Sequence, residues 1–144
     1  MTEPDRNKST SYPKTAACGC GAITLTVSSA PKFVHTCACL DCQRATGSAF
    51  SYSAFFPEAS VKIAGEPKRW RSTASDAKRW SETSFCQTCG VTMFSRLEAL
   101  PGIICIPVGG FGDPDFEKPG KLYWSSRRHR WLDVPNGVEP VDTQ

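Results

Sequence analysis

Apolar and polar residues alternate along this chain with the period of a strand rather than that of a helix. Residues 22–28 show it most plainly, with Ile23, Leu25 and Val27 on one side and Thr24 and Thr26 on the other. Further short runs with strand character lie at 33–36, 51–56, 61–64, 68–72, 79–85, 92–96, 103–108 and 122–124, separated by Pro, Gly or Ser. Only 41–46 combines helix-forming residues with a following glycine, Gly47, and it predicts one or two turns of helix. The pattern therefore predicts an all-β fold class with short helical turns, and no internal repeat is visible.

The two ends break the pattern. Residues 1–14 are polar and carry two prolines, and 135–144 are similar, so both read as flexible tails around a single β domain over 15–134. A chain of 144 residues fits one domain, which buries roughly two thirds of its unfolded surface and leaves no room for a second core. The opening stretch has no apolar run of the kind a secretory signal or membrane span needs, which predicts a cytoplasmic protein with no membrane partner. A net charge of +3 is too small to call for nucleic acid, although Arg127, Arg128 and Arg130 concentrate part of it.

In a reducing compartment eight cysteines point to metal ligands or reactive thiols rather than to a disulfide framework. They fall into Cys18-Gly19-Cys20, Cys37-Ala38-Cys39-Leu40-Asp41-Cys42, Cys86-Gln87-Thr88-Cys89, and Cys105 alone. The two-residue gap between Cys86 and Cys89 lets one tight turn aim both sulfurs at one ion, with Gly90 free to finish the turn. A tetrahedral structural zinc needs two more sulfurs, and Cys18 and Cys20 are the natural complement. Taken alone, Cys18 and Cys20 could also be small core residues, since free cysteine is commonly buried.

Cys37, Cys39 and Cys42 offer three thiolates within one short segment and no obvious fourth donor, the ligand count of a catalytic zinc with an open position. His35 is a conceivable fourth ligand, two residues before Cys37. His129 lies in an arginine-rich stretch and reads as a surface or packing residue, and Cys105, inside an apolar run, reads as an inert buried thiol. The triplet could also cycle between dithiol and disulfide.

The ordered set of motifs resembles the glutathione-dependent formaldehyde-activating enzyme family, which includes centromere protein V-like domains. The likeness rests on Cys18-Gly19-Cys20-Gly21-Ala22-Ile23, on Cys37-Ala38-Cys39-Leu40-Asp41-Cys42-Gln43-Arg44 with Gly47 and Phe50, on Phe85-Cys86-Gln87-Thr88-Cys89-Gly90, and on Trp131 with Pro135-Asn136-Gly137. It implies a β-tent zinc fold of packed antiparallel sheets, with a structural Zn2+ on Cys18, Cys20, Cys86 and Cys89. It also implies a second, more labile Zn2+ on Cys37, Cys39 and Cys42 as the catalytic residues. The implied activity is a carbon–sulfur lyase, the reversible combination of glutathione with formaldehyde to S-hydroxymethylglutathione. The chain departs from many relatives at Ala38, where histidine is common, and at Glu82-Thr83-Ser84, where a basic residue is frequent.

The residues suit that chemistry in outline. A thiol that enters the open zinc position loses its proton there and meets a small aldehyde held beside it, with proximity supplying most of the acceleration. Three thiolates overbalance the charge of zinc, so thiol exchange suits such a site better than water activation. Arg44, or Arg127, Arg128 and Arg130, could hold the carboxylates of a glutathione-like substrate, though solvated surface charge explains them as well. Phe50, Tyr52, Phe55 and Phe56 could line a pocket or fill the core. The rival reading is a zinc-stabilised binding module whose basic, aromatic segment 124–131 engages a protein or nucleic acid; the weak net charge counts against it.

Overall fold

The computed structural model describes residues 11–73 and 79–143. It is all-β, with eleven strands, one short α-helix and three helical turns among the described residues. A small sheet holds β1 (Lys14–Ala17), β2 (Thr24–Val27) and β5 (Val61–Ala64) in the order β1-β2-β5, all antiparallel. The large sheet adds β3 (Phe33–Cys37), β4 (Ser51–Pro57), β6 (Lys68–Ser72), β7 (Ser81–Phe85), β8 (Thr92–Leu97), β9 (Ile103–Pro107), β10 (Lys121–Tyr123) and β11 (Glu139–Val141). Its order is β11-β10-β3-β4-β9-β8-β7-β6, and it is antiparallel except where β10 lies parallel to β3 and to β11. No described helix is long and apolar enough to cross a membrane.

The core forms where the two sheets bring their apolar faces together. Leu25 and Val27 of β2 join Val34, Ala54, Phe56, Phe94, Ile104 and Ile106 of the large sheet in one buried cluster. Strand alternation then sends Phe33, His35 and Cys37 of β3, Ser51, Ser53 and Phe55 of β4, and Cys105 of β9 to the opposite face. That second face lines the candidate chemistry.

The alternating runs read from the sequence appear as β2 to β10 with ends shifted by a residue or two, as edge pairing rather than side-chain pattern sets them. β1 and β11 lie in stretches whose polar composition gives no strand signal. β1 is held by backbone pairing to β2 and by an ion pair from Lys14 Nζ to Asp113 Oδ2 at 2.5 Å. β11 is held by pairing to β10 and by Val138, buried against Ala38 and Leu122.

Candidate metal centres

Both cysteine pairs that stand far apart in sequence lie in hairpin loops. Residues 18–23 connect β1 to β2, and residues 86–91 connect β7 to β8. Each loop closes the same way: Cys18 N donates to Ile23 O at 3.1 Å, and Cys86 N to Val91 O at 3.0 Å. Inside them Gly21 N donates to Cys18 O and Gly90 N to Cys86 O, with φ of 78° and 76° at Gly21 and Gly90. A side chain at either position would strain that left-handed backbone, and glycine avoids the cost. A register shift between Ser84 and Phe85 turns β7 just before Cys86.

One loop belongs to the small sheet and the other to the large sheet, and they meet at one end of the molecule. The sulfurs of Cys18, Cys20, Cys86 and Cys89 lie within 4.8 Å of one another. Cys18 Sγ and Cys20 Sγ are 3.7 Å apart, as are Cys20 Sγ and Cys86 Sγ. Sulfurs at about 2.3 Å around a tetrahedral zinc would be separated by about 3.8 Å, so this spacing fits such an ion. Backbone donors already face the sulfurs: Ile23 N reaches Cys18 Sγ at 3.3 Å and Thr88 N reaches Cys86 Sγ at 3.4 Å. The Ile23 N–H chiefly lowers the Cys18 thiol to about 6, and the Val91 N–H lowers Cys89. Donors that favour the thiolate are what a metal ligand requires.

The second cluster is local. Cys37 ends β3, Cys39 caps the N-terminus of α1 (Leu40–Thr46), and Cys42 sits in its first turn. Their sulfurs also lie within 4.8 Å of one another, and the group contains no histidine. Cys39 Sγ accepts from Cys42 N at 3.3 Å, the cap that starts the helix, while Gly47 at φ 63° ends it. The side chain of Cys37, then that of Cys42, donates to Cys39 and pulls its thiol far down. Cys37 is pushed far up for the same reason, as the group that keeps its proton, and burial adds to this. Three sulfurs competing for shared protons are suited to a cation that satisfies all of them.

His35 is not part of this sulfur group and packs in an aromatic box on the same sheet face. Its ring centroid lies 4.4 Å from Phe55 and 4.9 Å from Tyr123, and burial lowers its pKa to about 4. Ser51 hydrogen-bonds Cys42, and Ser53 hydrogen-bonds Cys105, whose thiol burial pushes up to about 12. The pattern of the sequence does not single out Ser51, because only the β3–β4 register sets it opposite Cys37. Phe33, His35 and Cys37 do share the parity of one strand, a signal present in the sequence.

A brace runs behind α1. Gln43 Nε2 donates to Ala38 O at 2.9 Å and to Arg127 O at 3.1 Å, and Gln43 Oε1 lies 3.2 Å from His129 Nε2. Asp142 accepts from Ser125 Oγ and Ser126 N, fixing the turn that presents Arg127. Arg128 is occupied with Ser125 O and Leu132 O, and Arg127 lies over Trp124 at 4.8 Å, while Arg44 and Arg130 remain exposed. Among the aromatics, Phe56 is in the core, Phe50 packs beside Ala38 and Leu122, and Tyr52 donates to Glu117 O. Because Gln43 holds the carbonyl between Cys37 and Cys39, Gln43→Ala is expected to weaken metal binding at the triplet by about 10- to 100-fold. A chelator competition titration would measure it, and the four-sulfur cluster should hold its metal unchanged.

The fold and its two cysteine clusters define an all-β domain with two sulfur groups that could each hold a metal ion. The chain belongs to the glutathione-dependent formaldehyde-activating enzyme family, whose model matches residues 13–127. It is similar in fold to a crystal structure of a Rhodobacter sphaeroides protein, with 19% identity and a TM-score of 0.55 over 69% of this chain and 91% of that one. No curated protein matches it.

Proposed function

We propose that this chain is a zinc-dependent carbon–sulfur lyase of the β-tent type, acting in the cytoplasm to combine a small thiol such as glutathione with a small aldehyde. The observation that supports the reading is the inequality of the two clusters: four sulfurs lie together in one, enough to complete a tetrahedral ion, and three in the other, one donor short. The first would hold a structural zinc on Cys18, Cys20, Cys86 and Cys89, and the second a reactive zinc on Cys37, Cys39 and Cys42. Zinc bound to the triplet would supply one open position at which a thiol binds as its thiolate.

The rest of the chemistry falls to the protein. Cys39 and Cys42 are fixed by the helix cap, and Gln43 holds the connecting backbone. The sheet face beside Cys37 offers Ser51 and the aromatic box around His35 for an aldehyde to lie against. The reaction needs orientation more than activation, since thiols add readily to small aldehydes.

Titrating the zinc-loaded protein with glutathione tests this. Saturation at about 100 times Kd should stabilise the fold by about 2.7 kcal/mol, a rise of about 5–10 °C in Tm. A cobalt-substituted sample should change its charge-transfer spectrum as the thiol binds. If no low-molecular-weight thiol moves either signal, the reading fails. Trp131, 75% exposed beside Arg130, favours the alternative of a non-catalytic binding module. That alternative expects metal at the triplet but no response to thiols.

A further inference from the structure

The face of the large sheet that carries Cys37 also carries a cavity. It has a volume of about 290 Å³ and is lined by Phe33, Val34, His35, Gly120, Lys121 and Tyr123. β10 sets Lys121 opposite His35 and Tyr123 opposite Cys37, so the cavity and the triplet are neighbours along β3. Cys37 lies two positions beyond His35 with only Thr36 between them, about 7 Å along the strand.

The walls are aromatic. Phe33 stacks on Phe55 at 4.5 Å, Tyr123 meets the His35 ring edge-on, and Phe33, 41% exposed, forms the outer lip. One wall is polar: the His35 imidazole, only 8% exposed, lines the cavity and carries a ring N–H that an occupant's oxygen could accept. At the mouth, the Lys121 ammonium lies 4.0 Å from Glu139.

Size and shape restrict the occupant. Sites that bury whole drug-sized ligands start at about 300 Å³, so this cavity can take in one ring, whereas a tripeptide thiol would extend out through its open side. Formaldehyde would leave the aromatic walls without contact, whereas a flat ring could stack on them.

We propose that this cavity binds the ring of an aromatic aldehyde, with His35 donating a hydrogen bond to the carbonyl oxygen and the carbonyl carbon facing the Cys37 end. The proposal rests on the thiol and aldehyde chemistry above and names its aldehyde class. In the addition, the thiol sulfur forms a bond to the carbonyl carbon and the carbonyl π pair moves to oxygen. That oxygen takes the proton the thiol gave up, and the product is a hemithioacetal. His35 is a positioning residue that holds the oxygen throughout.

The test uses benzamide, a flat ring with a carbonyl and no reactive aldehyde, added to the zinc-loaded protein. Only His35 and His129 contribute imidazole signals, so ¹⁵N-resolved NMR separates them. Benzamide should shift the His35 imidazole saturably and leave His129 unmoved. His35→Phe, which keeps the aromatic shape, should weaken binding about tenfold, and His35→Gln, which keeps a donor, should restore most of it. The proposal is overturned if the His35 signal stays fixed up to the solubility of benzamide, or if His35→Phe binds as tightly as the parent. Because benzamide cannot react, binding without any thiol addition to benzaldehyde would count against the lyase reading alone and leave the cavity assignment standing.

Discussion

Cys86→Ser is expected to leave little folded protein at room temperature, with the far-ultraviolet circular dichroism of the β domain lost and its metal content reduced. The four sulfurs that Cys86 completes come from the β1–β2 and β7–β8 hairpins, one in each sheet. Cys20 and Cys86 are 66 residues apart, so a metal here closes a long loop and joins the sheets at one end. Structural zinc supplies on the order of 10 kcal/mol at neutral pH, comparable with the whole stability of an ordinary domain. Removing one ligand also leaves three thiolates around a poorly held ion. A Cys86→Ser protein that melts near the parent temperature would show that the hydrophobic core alone holds the sheets together.

At the triplet the expected result is the opposite. Cys39→Ser should lose one equivalent of metal and reduce thiol addition by at least about 100-fold, while Tm changes by only a few degrees. The three sulfurs span residues 37–42, so a metal there restricts a short loop. By loop-closure entropy alone, the long loop gains about 2 kcal/mol more than this one. Serine is also a good N-cap, so the hydroxyl can replace the Cys39 sulfur in starting α1 and the substitution isolates metal loss from helix loss. Metal analysis alongside calorimetry decides the matter. Global unfolding of Cys39→Ser would make the triplet structural and favour the binding-module alternative.

The contrast between these two variants follows from topology more than from ligand chemistry. Both clusters are made of thiolates, and what separates them is which parts of the chain each one joins.

Much of the fold was legible along the chain because strand alternation is local. Ile23, Leu25 and Val27 face inward for the same reason in the sequence and in the structure, burial of one side of a pleated strand. The helix ends at Gly47 because only a residue tolerant of left-handed backbone stops it there without strain. The grouping of cysteines was likewise legible, since the gap between Cys86 and Cys89 fits one turn and the crowding of Cys37, Cys39 and Cys42 fits one cap. β1 and β11 were not, because their stability comes from pairing with distant strands rather than from their own composition.

By itself the sequence determined the fold class, through strand alternation, and the grouping of the sulfur donors into two pairs and a trio, through spacing over a few residues. Tertiary structure alone decided that the pairs sit in matching hairpin loops of different sheets, that His35 enters an aromatic box instead of the trio, and that Gln43 braces α1 through Arg127. Those outcomes depend on strand register and sheet order, which are fixed by burial summed over the whole molecule and leave no mark on any short stretch of chain.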